Sequence, residues 1–131
     1  MTADRARDML GRPLPSDADP SLIVASVAPR DEITDDEAWR DAMTYLDHGM
    51  PFHAHETFEL RWRIAPEADR DAWRALAQWG AALTHAARSN DIGAQRVAAR
   101  ALLVLQSAPH IPEVVDVDLV VASLTALAAD S

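Results

Sequence analysis

The sequence predicts an all-α protein, a compact multihelical bundle of about five helices preceded by an irregular N-terminal arm. Three observations predict this fold. Apolar residues recur at helical spacing from residue 34 onward. Residue types that start and stop helices punctuate the same region. The loops between the predicted helices are short, which favours antiparallel neighbours and therefore a bundle.

Length and composition fit a single domain with a core of its own. The chain has 131 residues, of which 49% are hydrophobic and 25% are charged, as is usual for soluble globular proteins. No apolar run reaches the ~20 residues that span a bilayer, and the N-terminus lacks the apolar segment of a secretory signal. We therefore expect a cytoplasmic protein that does not use a membrane as its partner.

Charge and the missing residue types exclude several classes of function. Twenty-one Asp and Glu against 12 basic residues give a formal net charge of −9 at pH 7. Binding to phosphates needs a basic face, so we expect no nucleic acid partner. The absence of cysteine excludes disulfide scaffolds and thiol nucleophiles. The absence of lysine excludes Schiff-base chemistry and a P-loop.

Residues 1–33 form the predicted arm, and residues 34–131 form the predicted helical domain. Prolines and acidic residues in the arm predict an extended or irregular chain. One short apolar patch interrupts it, at Leu22, Ile23, Val24 and Val27. Its periodicity fits a strand, a helical turn, or a segment that packs on the body or on a second subunit. The patch makes the arm a candidate for self-association into a homo-oligomer.

Each predicted helix has local start and stop signals. The first follows a capping box, in which Thr34 is the N-cap and Glu37 reaches back to it, and Gly49 ends it. Pro51 suits the first turn of the second helix, and the triplet at 89–91 breaks the third. The later helices are predicted over about residues 51–64, 69–88, 92–107 and 116–129.

The second predicted helix carries the residues with the most chemistry. Phe52, His55, Glu59 and Trp62 recur at helical spacing, which predicts that they form a seam facing the core. Glu56 flanks this seam. Two of the seam residues are ionisable, and burial of a carboxylate beside an imidazole is costly unless each group finds a partner.

His55 and Glu59 stand four residues apart, so their side chains can meet on the helix. They could share one divalent metal ion, or Glu59 could orient His55 as a general base. The pair could also be structural and only stiffen the core. His85 on the third helix would join them if its side of that helix faces the second. The pattern is not a zincin motif, since Glu59 stands where a second histidine is required.

The other histidines and the tryptophans are interpreted as structural or surface residues. His48 and His53 are predicted near the surface at helix ends, and His110 in a loop with no visible partner. Arg61 and Arg63 could bind an anion, but acidic neighbours such as Glu67 favour ion pairs. The core is predicted to contain Trp62, Trp73 and Trp79.

The residues from His55 to Trp62 (His-Glu-Thr-Phe-Glu-Leu-Arg-Trp) resemble the His-Glu-x-x-Glu-x-x-Trp helix of the DUF309 family. His85 at the end of an alanine-rich helix, followed by Gly93-Ala94, is similar to the second part of that pattern. The resemblance covers about residues 36–127. It implies a multihelical fold, and it implies no particular reaction, because the family consists of small helical proteins of unknown function.

The chain departs from the family pattern in the third helix and the turn after it. Ala75 and Leu76 stand where the family usually has Gln-Gly, and Gln78 one turn further on is a possible substitute. Ser89 stands where the turn usually has glycine. If that glutamine contributes to a shared site, this chain has lost or moved the contact.

Two functions from different classes follow. The favoured one is a structural or interaction module, in which the His–Glu pair rigidifies the core. The alternative is a small enzyme or metal-binding protein that uses His55, Glu59 and His85, with Glu56 beside them, as a metal or acid–base site for a small molecule. A site needs an opening to solvent beside His55 and Glu59, whereas a core pair needs none.

Overall fold

Five α-helices make up most of residues 6–129, which are the residues that the computed structural model describes. No β-strand forms within that range, and the arm contains only isolated bridges from Arg7 to Pro13 and Val24. The predicted all-α bundle is confirmed. The helices are α1 Asp35–Asp47, α2 Pro51–Ile64, α3 Glu67–Ala87, α4 Asp91–Ser107 and α5 Val117–Ala128.

The predicted ends of α1 are confirmed. The Thr34 side chain accepts a hydrogen bond from the Glu37 amide at 3.1 Å, and the Glu37 carboxylate accepts one from the Thr34 amide at 2.9 Å. This reciprocal pair satisfies amide groups that the first turn leaves free. Gly49 follows the helix with φ of +71°, a conformation that glycine adopts at little cost.

The start of α3 differs from the prediction. The helix begins at Glu67 rather than near Asp69, because Pro66 occupies the N-cap, where its missing amide proton is not needed. Within residues 6–129 no helix has both the length and the hydrophobicity required to cross a bilayer.

The central helix of the bundle is α3, which packs against α2, α4 and α5. It buries Trp73, Leu76 and Trp79. Its small residues let its neighbours approach closely, as the alanine-rich sequence predicts. A Cβ atom on Gly80 would lie 2.7 Å from the Cα atom of His55, so α2 and α3 are in backbone contact at that point.

The face of α2 that enters the core is not the predicted one. Ala54, Thr57 and Phe58 are buried, whereas the side chains of His55 and Glu59 are 27% and 32% exposed. The predicted seam was therefore wrong by one residue, or about 100° around the helix. Burying Ala54 and Phe58 costs no polar desolvation, whereas burying an imidazole and a carboxylate would.

The arm crosses α2 and is hydrogen-bonded to the bundle. His53 donates from Nε2 to the Ala25 carbonyl oxygen at 2.7 Å, and Arg88 donates to the Leu10 carbonyl oxygen at 2.8 Å. The apolar patch of the arm divides between two environments. Its first half, in and after the short 3₁₀ turn Pro20–Leu22, is exposed, while Val24 and Val27 are half-buried.

Candidate functional site

His55 lies at the edge of α2, where that helix meets α3. Its Nδ1 atom is 2.7 Å from the carbonyl oxygen of Ala77. A carbonyl oxygen can only accept, so this hydrogen bond assigns a proton to Nδ1 and fixes the orientation of the ring. Nε2 is then the atom left for chemistry. It faces Glu59, whose Oε2 atom is 3.4 Å away.

Glu59 stands between two side chains of its own helix. Its Oε1 atom accepts a hydrogen bond from the Arg63 guanidinium at 3.1 Å, while Oε2 faces His55. The three residues are spaced four apart, so they follow one strip of α2. A neutral His55 presents the Nε2 lone pair to a carboxylate, and a proton or a bound cation between the two atoms makes that contact attractive.

A cleft of about 430 Å³ opens beside Glu59, between α2 and the arm. Its volume lies within the ~300–1,000 Å³ that is usual for small-molecule pockets. Two clefts elsewhere, of about 550 and 780 Å³, contain none of the predicted site residues. The cleft beside Glu59 is lined by Phe52, Glu56, Glu59, Leu60 and Arg63 from α2 and by Arg7, Ser26, Val27 and Pro29 from the arm.

Glu56 connects the arm to this cleft. Its Oε1 atom accepts a long hydrogen bond, of 3.4 Å, from the Val27 amide. Glu56 and Glu59 thus line the same cleft from neighbouring turns of α2, and His55 adjoins it through Glu59. The cleft is lined by carboxylate and guanidinium groups on a partly apolar surface.

The structure does not bring His85 into a metal-binding group with His55 and Glu59. The Nδ1 atom of His85 lies 3.0 Å from the Asn90 side-chain nitrogen, which donates to it at the turn between α3 and α4. His85 lies about 140° around α3 from Gly80, which faces α2. In the part of the chain that the structure describes, no group of three or more His, Asp or Glu side chains could hold a metal ion.

Two other histidines differ from the predictions made for them. His53 lies at a helix end, in the first turn of α2, but it is only 3% exposed, because the arm covers it and the Ala25 carbonyl oxygen accepts a hydrogen bond from its ring. His110 has a partner after all, since its Nδ1 atom lies 2.6 Å from the Asp69 carboxylate. His48 is exposed, as predicted, with Nδ1 2.7 Å from the Thr44 carbonyl oxygen.

The tryptophans and the arginines of α2 follow the predictions more closely. Trp73 and Trp79 are buried, and Trp62 is partly buried against the core. Arg61 pairs with Asp35 at 2.8 Å, and Arg63 pairs with Glu59. Both predicted ion pairs are therefore present.

The arm residues of the cleft are the part of the site that sequence reasoning missed. Ser26, Pro29 and Arg7 belong to no motif. The sequence indicated these residues only through the apolar patch that includes Val27. Packing of this patch on the helical domain was one of the predicted alternatives. The patch gave no indication of which helix it would contact.

Comparison with known proteins gives one result. Residues 39–97 match the family model described as a domain of unknown function (DUF309). No curated protein and no solved structure gives a significant match to the chain. The matched segment runs from α1 into α4 and contains all four predicted site residues, while the arm lies outside it. The resemblance found in the motif is confirmed over residues 39–97, which match the DUF309 model.

Proposed function

We propose that His55 and Glu59 form an acid–base site that acts on a small molecule bound in the adjoining cleft. One observation carries this proposal. Glu59 lines the cleft and faces Nε2 of His55, and the side chains of Glu59 and His55 are 32% and 27% exposed. A pair that only stiffened the core would need no such opening.

In this proposal His55 is the proton acceptor and Glu59 is its partner. The Ala77 carbonyl holds the Nδ1 proton, which leaves the Nε2 lone pair as the basic atom. Once Nε2 takes up a proton, the Glu59 carboxylate beside it stabilises the imidazolium that forms. Arg63 holds the carboxylate from its other side.

A specific observation supports a second candidate function from a different class. The His55–Ala77 hydrogen bond joins α2 to α3 beside the backbone contact at Gly80. In this interpretation His55 is a structural tie, and the protein is a structural or interaction module. The His–Glu pair then stiffens the edge of the bundle rather than its core.

Hydrolysis of p-nitrophenyl acetate tests the acid–base proposal, because a positioned imidazole accelerates the cleavage of this activated ester. We expect His55→Gln to remove most of the hydrolysis rate in excess of the rate in buffer alone. Glu59→Gln should lower this excess rate several-fold. The matched control is His48→Gln. His48 is exposed, and its Nδ1 atom is also bonded to a backbone carbonyl at 2.7 Å.

An equal loss of rate in His48→Gln and His55→Gln would mean that ordinary surface imidazoles account for the reaction, and the proposal would be wrong. A loss of stability without a loss of rate in His55→Gln would favour the structural tie. Metal analysis of untagged protein adds a third outcome. Stoichiometric metal that disappears in His55→Ala would replace acid–base chemistry with a metal site.

A further inference from the structure

The arm lies outside the DUF309 domain, yet it forms one side of the cleft. Four of the cleft's lining residues belong to it, namely Arg7, Ser26, Val27 and Pro29. The domain by itself would therefore leave Glu56 and Glu59 on an open face of α2.

The loop at residues 7–12 lies over the N-terminal end of α2. Gly11 adopts φ of +76°, and its backbone rests so closely on the Phe52 ring that a Cβ atom there would overlap the ring. The guanidinium of Arg7 lies 5.4 Å from the centroid of this ring, and that of Arg88 lies 6.0 Å away. The Phe52 ring is itself 6.0 Å from the His55 ring, so this loop adjoins the proposed site.

The same loop is hydrogen-bonded within itself and to Arg88, the C-cap residue of α3. The Asp8 carboxylate accepts hydrogen bonds from the Leu10 amide at 3.0 Å and from the Arg12 amide at 2.8 Å, which closes the turn internally. Arg88 then donates to the Leu10 carbonyl oxygen through Nε at 3.1 Å and through Nη2 at 2.8 Å. Two bonds from one guanidinium to one oxygen hold the loop in a defined position.

The second stretch of the arm, residues 26–29, is fastened to α2. Buried His53 donates to the Ala25 carbonyl oxygen just before it, and the Val27 amide within it donates to Glu56. Glu56 therefore lines the cleft and also binds residues 26–29, the stretch of the arm that lines it too. It is a positioning residue in this arrangement.

We propose that the arm determines the specificity of the site. Residues 7–12 and 26–29 would control which molecules reach Glu59 and His55. This inference rests on the proposed function for the identity of the site. While the arm is docked, the dimensions of the cleft limit the size of the molecule that can bind in it. Because the described arm is held by side-chain hydrogen bonds and contains no α-helix, we expect it to open at a lower free energy than the helices themselves.

Two variants loosen the arm, and each has a matched control. Gly11→Ala places a methyl group against Phe52, and its control is Gly49→Ala, which has a similar φ and nothing within 4 Å of the added atom. Arg88→Gln removes the bonds to Leu10, and its control is Arg100→Gln at an exposed position of α4. Circular dichroism checks that each variant keeps its helices.

Two measurements compare these variants with their controls. Hydrogen–deuterium exchange of peptides from residues 6–30 reports whether the arm is docked. Labelling of Glu59 with a water-soluble carbodiimide and glycine ethyl ester, measured by mass spectrometry against exposed Asp47, reports access to the cleft. We expect the exchange rate of the arm and the labelling of Glu59 to rise several-fold in Gly11→Ala and Arg88→Gln. Neither quantity should rise in the controls Gly49→Ala and Arg100→Gln.

Faster exchange of the arm with unchanged labelling of Glu59 would overturn the proposal, because a loose arm would then not control access. Unchanged exchange in both Gly11→Ala and Arg88→Gln would also overturn it, since these contacts would not be what holds the arm. Neither readout uses ester hydrolysis. The failure of the acid–base proposal and the failure of this one are therefore distinguishable.

Discussion

The Nδ1 atom of His55 donates a hydrogen bond to the carbonyl oxygen of Ala77 at 2.7 Å, and this bond links α2 to α3. It has two consequences at once. It ties the two helices where their backbones touch, and it turns Nε2 toward the carboxylate that lines the cleft. The same hydrogen bond therefore serves both the structural role and the proposed chemical role of His55, and the predictions below separate the two.

His55→Ala should lower the free energy of unfolding by about 1–2 kcal/mol, because the Ala77 carbonyl loses a hydrogen bond between helices. Urea denaturation measures this change. The control is His48→Ala, which removes an exposed hydrogen bond at the C-terminal end of α1 and should change stability by less than ~0.5 kcal/mol. Equal losses in the two variants would contradict the role of His55 as a tie.

Glu59→Gln should lower stability by less than ~1 kcal/mol, since the ion pair of Glu59 with Arg63 is largely exposed and screened by solvent. The same substitution removes the charge beside Nε2, so its effect on ester hydrolysis should be larger than its effect on stability. A loss of ~1–3 kcal/mol in urea denaturation would instead indicate that the carboxylate has a structural role.

Gly80→Ala should destabilise the protein by about 1–3 kcal/mol, even though alanine favours a helix by ~1 kcal/mol over glycine. The added Cβ atom would lie 2.7 Å from the His55 Cα atom, and a backbone atom inside a packed bundle cannot move aside.

Gly93→Ala on α4 is the control for this prediction. There the added atom would meet first the side chain of Asn90, the N-cap that accepts a hydrogen bond from the Gly93 amide, so a cap loss of ~1 kcal/mol is set against the ~1 kcal/mol by which alanine favours a helix. Thermal unfolding of the two variants should show a clear loss for Gly80→Ala and little change for Gly93→Ala. A neutral Gly80→Ala would mean that the contact between α2 and α3 is looser than the structure indicates.

Acid should loosen the arm before it unfolds the helices. Burial by itself would raise the pKa of Asp8, but hydrogen bonds from the Arg12 backbone and side chain and from the Leu10 amide outweigh it and lower that pKa below its ordinary value. A lowered pKa in the docked loop means that the stabilisation is complete above about pH 4 and is lost as the pH falls through the lowered value.

The amide resonances of Leu10 and Arg12 should therefore shift together in acid, in a titration followed by NMR. The control is Asp8→Asn, which keeps an acceptor at the same place but cannot titrate. A titration that persists in Asp8→Asn would assign the loosening of the arm to another group.

The sequence predicts the helices well because their ends depend on neighbours within one turn. The Thr34–Glu37 capping box, Gly49 and Pro51 act through local backbone geometry, and each stands where the pattern places it. The buried face of α2 could not be predicted from such local geometry. Helical spacing fits Phe52 and His55 as well as Ala54 and Phe58, and only the packing of α3 and the arm distinguishes them.

The sequence by itself determined the all-α class, the helix boundaries to within about two residues, and the pairing of His55 with Glu59 on one strip of α2. Only the tertiary structure decided that Glu59 lines an open cleft, that His85 turns away to Asn90, and that the arm closes one side of the cleft. The orientation of His55 and the closure of the cleft by the arm depend on contacts between residues 22 and 29 positions apart, namely His55 with Ala77 and Val27 with Glu56. Periodicity along one helix carries no information about which distant backbone atom comes to lie beside it.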